Sequence, residues 1–245
     1  MRFIKIKTRI FQPPKDDIYE LFDQHLPCLR EGDILLITTK ILSIHEGRCV
    51  PAAENAGLKE KDKLAIKEVR YYIPRSQSPG EYSFMTINQN VLISAAGIDK
   101  SNANGHFILW PKKPQKLLKK IWKYLRKKYK LKKLGVIAVD SYSAPLRRGT
   151  LGIAVGFYGF YPTEDYRGKK DLFGRKLRVT KTNIVDSIAT FGNLLMGESD
   201  ERIPLLIFRG VKFLKFTNRD TYKDIVIPHN ADMFYPLLKH MKKKK

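Results

Sequence analysis

Three polar segments of this chain each follow an apolar stretch, and this ordered pattern constrains the fold more than any other feature of the sequence. Apolar stretches over 91–94 and 134–139 predict strands, and the stretch over 182–195 predicts a helix. The oxygen-bearing side chains that follow them are Asp99, Asn102, Asp140, Ser141 and Glu198. If the three segments meet in space, they form a cluster of the oxygen ligands that Mg²⁺ or Mn²⁺ prefers.

Each carboxylate taken alone has a simpler interpretation. Aspartate is common after a strand because its side chain forms turns and caps helices. On that basis Asp99 or Asp140 by itself predicts a capped loop rather than a metal ligand. The metal–phosphate interpretation depends on the order and spacing of the surrounding motifs.

That order resembles one family, the coenzyme F-420:L-glutamate ligase, or γ-glutamyl ligase, family. The resemblance extends from about residue 5 to residue 212 and is carried by the segments 31–35, 43–48, 95–102, 140–141, 165–177 and 195–198. It implies an α+β fold with mixed sheets and two interwoven subdomains, forming one domain over 1–241. The family is dimeric, so a homodimer is expected.

The resemblance also implies a reaction. The family joins the amino group of L-glutamate to a carboxylate of a phosphorylated deazaflavin precursor, using GTP and divalent metal. By position, Asp99 and Asp140 are expected to ligate one metal ion, and Ser141 and Glu198 a second. Asn102 is expected to contact the nucleotide.

Amide formation of this kind usually proceeds through an acyl phosphate, because a free carboxylate is a poor electrophile. Phosphoryl transfer needs cations across the phosphates, so Mg²⁺ or Mn²⁺ and GTP or ATP are the expected cofactor and co-substrate. The remaining partner is a small carboxylate. Lys40, Arg147 and Arg148 are predicted to contact phosphate oxygens. The sequence identifies no general base for the incoming amine.

Among the departures from the family pattern, two positions lose a cationic side chain. Ile44 stands where the family usually has a nucleotide-contacting lysine, and Ala144 stands where it often has an arginine. The loss of two cationic contacts predicts a relative with a different acceptor or nucleotide, unless Lys40, Arg48, Arg147 or Arg148 replaces them.

The net charge of +23 suggests an alternative function. The segment 112–133 carries 12 Lys or Arg, and no acidic residue occurs between Asp99 and Asp140. Its apolar residues recur at helical spacing, which predicts an amphipathic helix with a cationic face. That face is typical of a protein that binds nucleic acid or another polyanion without catalysis. We favour a solvated face, because no stacking aromatic residue falls on its polar side.

The remaining composition predicts a cytoplasmic protein without a membrane association. No apolar stretch is long enough to span a bilayer, and the two cysteines form no disulfide framework. Helices are predicted over 58–72 and 231–241, a hairpin over 84–94 and a disordered basic tail over 242–245. Strands and helices alternate irregularly, which favours α+β over a doubly wound sheet.

Overall fold

The computed structural model describes residues 1–244 and confirms an α+β fold. Its helices are α1 (Ile18–His25), α2 (Thr39–His45), α3 (Leu58–Glu68), α4 (Pro114–Tyr129), α5 (Ile184–Met196) and α6 (Tyr235–Leu238). Its strands are β1 (Arg2–Ile6), β2 (Asp33–Thr38), β3 (Cys49–Pro51), β4 (Tyr71–Ile73), β5 (Met85–Asn88), β6 (Val91–Ser94), β7 (His106–Ile108), β8 (Leu134–Tyr142), β9 (Leu151–Tyr158), β10 (Thr163–Asp165), β11 (Lys181–Asn183), β12 (Leu205–Arg209) and β13 (Lys242–Lys243).

The largest sheet has five strands in the order β1-β12-β2-β8-β9. The pair β2–β8 is parallel and the other pairs are antiparallel. A buried ion pair fixes the beginning of β2: Asp33 is fully buried and accepts two hydrogen bonds from Arg209 at 2.6 and 2.8 Å. A buried charge without a partner is costly, so Arg209 at the end of β12 compensates the Asp33 carboxylate at the beginning of β2.

Strand β8 lies at the centre of the molecule because both of its faces are buried. Successive side chains of a strand point to opposite faces. Val136 and Ala138 therefore pack into the core beneath α1, α2 and α4, whereas Ile137 and Val139 pack into a second core beneath α5. This continuous burial explains the uninterrupted apolar run over 134–139.

The smaller part of the chain forms a four-stranded antiparallel sheet, β13-β4-β5-β6, and the pair β3–β7. Helix α3 packs against the 3₁₀ turn Ala95–Gly97 and buries Ala65 in a third core. This part carries the Asp99 segment toward the end of β8. The hairpin β10–β11 forms a separate two-stranded sheet.

The structure corrects three predicted elements. The prediction of a helix over 231–241 is wrong except for α6. Pro236 lies in the first turn of α6, and the proline ring disfavours helical backbone in the residues before it. The helix predicted over 58–72 ends at Glu68, and Tyr71–Ile73 is strand β4. The disordered tail is wrong for Lys242–Lys243, which pair with β4, while Lys245 lies outside the described residues. The hairpin over 84–94 is confirmed as β5–β6.

None of the helices within residues 1–244 combines the length and apolar character needed to cross a membrane.

Candidate active site

The site is built where the parallel pairing of β2 with β8 ends. Thr38 and Val139 are partners in this parallel pair, so Thr39 and Lys40 emerge beside Asp140. The carboxyl ends of adjacent parallel strands are a common location for ligand sites in sheets. Strand β8 continues through Ser141 and Tyr142, because these residues still pair with β9. Asp140 thus lies within a strand and not, as predicted, in a loop after one.

Asp140 is the most enclosed carboxyl group of the site. Burial raises its pKa to about 6, although it accepts hydrogen bonds from the Trp110 indole, the Thr39 hydroxyl and the Ser141 backbone, the last at 2.9 Å. The negative charge of Asp99 adds to the increase in pKa. Ionisation of Asp140 near neutral pH would therefore be favoured by an additional positive charge.

Asp99 is brought to the site by the turn Ala95–Gly97 and by a bridge to Ile108. Burial opposes its ionisation, but the neighbouring Lys40 ammonium and hydrogen bonds from Ser101 outweigh that effect and lower its pKa. The Lys40 ammonium lies 2.6 Å from Asp99 Oδ2 and 2.9 Å from the Ser101 carbonyl. Lys40 and Asp99 are therefore a direct ion pair.

Glu198 approaches from the end of α5. Gly197, with φ of +87°, ends the helix and turns the chain back toward β8. Glu198 accepts hydrogen bonds from Ser141 Oγ at 2.7 Å, Thr150 Oγ1 at 2.9 Å and Asn193 Nδ2 at 2.7 Å. These three donors hold a carboxylate in place on the α5 side of the sheet.

A further hydrogen bond closes the site. Asn102 Nδ2 donates to the Ser199 carbonyl at 2.8 Å, which joins the Asp99 segment to the Glu198 segment across the end of β8. All three polar segments identified in the sequence therefore lie in one connected network, together with Lys40.

The three carboxylates do not converge on one point. No group of three or more His, Cys, Asp or Glu side chains within residues 1–244 is placed to hold a metal ion. The strand alternation explains this, because Asp140 and Ser141 face opposite sides of β8. The result is two adjacent pairs, Asp99 with Asp140 and Ser141 with Glu198. Mg²⁺ is usually held by one or two carboxylates completed by water and phosphate oxygens, and each pair fits that chemistry.

The remaining predicted residues fall outside this network. Arg147 and Arg148 are exposed on the loop after β8, and their side chains form no hydrogen bond with the part of the chain that the structure describes. Arg48 is committed to Glu68 and to the Trp110 carbonyl. Ile44 is 2% exposed and lies in the core that α1, α2 and α4 form with the large sheet. The Ile44 side chain therefore packs into the core and does not line this site.

Sequence reasoning missed several residues that shape the site. Trp110 reaches Asp140 because Gly97 leaves room for it: a Cβ on Gly97 would lie 2.3 Å from the indole. Burial lowers the pKa of Lys61, whose charge also interacts with Asp99. Thr150 and Asn193 hold Glu198. Trp110, Lys61 and Thr150 are distant in sequence from the carboxylates that they contact, so spacing gives no signal for them. Asn193 lies only five residues before Glu198, but it faces that carboxylate only because Gly197 turns the chain back.

The fold and the site define an α+β protein with an acidic, oxygen-lined site where two parallel strands end. The sequence over residues 5–210 matches the family model described as F420-0:Gamma-glutamyl ligase. The chain therefore belongs to the F420-0:gamma-glutamyl ligase family, a family of ligases that form carbon–nitrogen bonds.

Three relatives show the extent of the similarity, and each is named coenzyme F420:L-glutamate ligase. The protein of Methanocaldococcus jannaschii is 33% identical over 84% of this chain and 86% of its own length. That of Methanopyrus kandleri is 30% identical over 81% and 82%, and that of Archaeoglobus fulgidus is 33% identical over 80% and 82%. The family match spans every segment of the site.

Proposed function

We propose that this protein is a nucleotide- and divalent-metal-dependent amide ligase that joins an amino acid to a carboxylate through an acyl phosphate. The observation that carries the proposal is the arrangement near the end of β8. There the consecutive residues Asp140 and Ser141 point to opposite sides of the strand, and each meets a different carboxylate. Asp140 lies beside Asp99, and Ser141 donates to Glu198 at 2.7 Å. Two adjacent oxygen sites suit a polyphosphate chain better than a single enclosed metal site does.

The residues of the chain have distinct roles in this proposal. Lys40 is positioned by Asp99 and the Ser101 carbonyl, so its ammonium is directed to the position where phosphate oxygens would lie. Asn102 links the two acidic segments and supports a nucleotide contact. Thr150 and Asn193 keep Glu198 oriented with no ligand present. This preorganisation lowers the cost of assembling the site around a substrate.

Asp99 and Asp140 would hold one Mg²⁺ or Mn²⁺ ion, and Ser141 with Glu198 a second. When bound, these ions would neutralise the charge that develops on the transferred phosphate. A cation at this position would favour the ionised form of Asp140, whose pKa is raised to about 6 by burial and, to a smaller extent, by the charge of Asp99.

The proposed reaction has two chemical steps. An oxygen of the substrate carboxylate attacks the γ-phosphorus of GTP or ATP, and the nucleoside diphosphate leaves. The amino group then attacks the acyl carbon, the amide bond forms, inorganic phosphate leaves and the amine loses a proton. The first step needs only charge and positioning, which the residues above provide.

The names of the relatives make L-glutamate and an F420-type carboxylate the first substrates to test. The sequence predicted a different acceptor or nucleotide on the basis of Ile44 and Ala144. Since Ile44 lies in the core, only the change at Ala144 still supports a different acceptor. We therefore place the glutamyl acceptor of the relatives first, and propose that the enzyme acts as a homodimer in the cytoplasm.

A thermal-shift experiment tests the site without knowledge of the acid. Addition of Mg²⁺ or Mn²⁺ with GTP or ATP should raise the melting temperature of the wild-type protein. Asp140→Ala should remove that increase, whereas Asp224→Ala, at an exposed position on the 3₁₀ turn Tyr222–Asp224, should retain it. An increase that survives in Asp140→Ala would contradict the assignment.

A further inference from the structure

A second cationic feature lies on α4, away from the acidic site. A cavity of about 460 Å³ is lined by Lys119, Trp122, Lys123, Arg126, Tyr158 and Asn218. Its three cations lie at helical positions i, i+4 and i+7, so they share one face of α4. None of these lining residues is acidic.

Arg126 is held in a fixed orientation in this cavity. Its Nε donates to the Leu131 carbonyl at 2.9 Å, and Nη1 donates to Asn218 Oδ1 at 2.9 Å. The guanidinium carbon lies 4.3 Å from the centroid of the Trp122 ring. Asn218 is held in turn, because its carbonyl accepts the Tyr158 hydroxyl at 2.9 Å. The guanidinium therefore loses little conformational entropy on binding a ligand.

The two lysines of the cavity are not neutralised by the protein. Within residues 1–244, neither Lys119 nor Lys123 forms an ion pair or a side-chain hydrogen bond. The Lys119 ammonium lies 5.7 Å from the Tyr158 ring. By contrast, Lys128 on the same helix pairs with Asp23. Three positive charges around one concave surface create a potential that attracts an anion.

This cavity is remote from the acidic site. The Trp122 indole donates to the carbonyl of Leu134, the first residue of β8, at 2.8 Å. Asp140 lies six residues further along the strand, which corresponds to about 20 Å at roughly 3.3 Å per residue. A ligand in the cavity therefore does not occupy the site described above.

We propose that this cavity is a binding site for a phosphate group, held by Lys119, Lys123 and Arg126. After its bonds to Leu131 and Asn218, the fixed Arg126 guanidinium keeps two N–H groups on Nη2 and one on Nη1 for phosphate oxygens. The lysines provide mobile point charges. Trp122 and Tyr158 are 5% and 2% exposed, so their rings are not available to stack on a base. The cavity therefore selects the phosphate itself, whether from a small phosphorylated molecule or from a nucleic-acid backbone.

The two tryptophans of the chain allow a direct test. In a ¹⁵N-labelled sample, the Trp122 indole signal reports on the cavity and the Trp110 signal reports on Asp140, with Trp122→Phe to assign them. Titration with inorganic pyrophosphate should shift the Trp122 signal in a saturable way. Lys119→Gln/Lys123→Gln should weaken that binding at least about tenfold, as expected for two lost charged contacts.

The matched control is Lys120→Gln/Lys127→Gln, which removes the same charge from exposed positions of α4 outside the cavity. It should leave the pyrophosphate affinity within about twofold of the wild type. Both double variants retain Arg126, so the fold of the cavity wall is preserved. A Trp122 signal that does not move, or an equal loss in both double variants, would overturn the proposal.

A second arm separates the two sources of phosphate. Binding of a fluorescein-labelled 20-nucleotide oligouridylate would be followed by anisotropy at physiological salt. Tight binding that only the cavity variant weakens would identify a nucleic-acid backbone as the ligand. Pyrophosphate binding without oligonucleotide binding would identify a small phosphorylated molecule. Oligonucleotide binding that both double variants weaken equally would show a general charge effect and contradict a specific site.

Discussion

Replacement of Asp140 by asparagine should change how the stability of the metal-free protein depends on pH. The pKa of Asp140 in the folded chain is about 6, above its ordinary value of 3.8. A carboxyl group with a raised folded pKa stabilises the fold fully below the unfolded pKa, and this stabilisation is lost as the pH rises through the folded value. The amide of the Asp140→Asn variant has no proton to lose in this range.

The magnitude follows from the two pKa values. One pKa unit corresponds to about 1.4 kcal/mol, so the wild type loses about 3 kcal/mol over the full range. Between pH 4.5 and 7.5 the linkage relation gives about 2 kcal/mol. Asparagine also loses an acceptor for Trp110 or Ser141, but that cost is the same at both pH values. Urea unfolding with EDTA would measure both proteins at both pH values.

The unfolding free energy of Asp140→Asn minus that of the wild type should therefore be about 2 kcal/mol more positive at pH 7.5 than at pH 4.5. The variant thus gains stability relative to the wild type as the pH rises. Asp16→Asn is the matched control, because the hydrogen bonds from Arg9 lower the pKa of Asp16 to about 2. Its contribution is nearly complete above pH 4.5, so its difference from wild type should stay constant. A constant difference for Asp140→Asn as well would refute the reasoning.

Three further substitutions have outcomes that the structure determines. Arg209→Met should lower the unfolding free energy by about 3–5 kcal/mol in urea, because Asp33 would remain charged and fully buried. Gly97→Ala should lower it by at least about 2 kcal/mol, because the new Cβ would lie 2.3 Å from the Trp110 indole at a φ of +74°. Lys40→Met should raise the Kd for nucleotide at least about tenfold in calorimetry, through loss of a charged contact.

Each substitution has a control of the same chemistry. Arg2→Met removes an exposed arginine from the strand opposite Arg209 and should have little effect on stability. Gly105→Ala has a φ of +75° but open space around the new Cβ, so it separates backbone strain from the steric clash. Lys112→Met removes an exposed lysine and should leave nucleotide affinity unchanged. Equal effects in any substitution and its control would contradict the corresponding prediction.

The parts of the fold that were predictable from sequence are those that short-range periodicity determines. The apolar run over 134–139 has to be a buried strand, because both of its faces meet a core. Asp17 accepts the backbone N–H of Tyr19 and caps α1, and an aspartate before an apolar helical pattern is a local signal that a sequence shows directly. The helices α4 and α5 followed from their apolar spacing in the same way.

The parts that were not predictable depend on contacts between distant residues. The end of β8 could not be located at Tyr142 without β9, which pairs with Asp140 and Ser141. Trp110 reaches Asp140 from 30 residues away through the space at Gly97. Ile44 was interpreted as a lost charge at the site, yet its burial places it in the core. A family pattern gives the residue type at a position but not the direction of its side chain.

Product analysis is the decisive test of the proposed ligase activity. Purified protein would be incubated with an F420-type carboxylate precursor, L-glutamate, GTP or ATP, and Mn²⁺ or Mg²⁺, and then analysed by mass spectrometry and phosphate release. We expect a glutamylated product, one inorganic phosphate released per amide formed, and loss of both in Asp140→Ala. Product that forms without a nucleotide, or at the wild-type rate in Asp140→Ala, would contradict the proposed function.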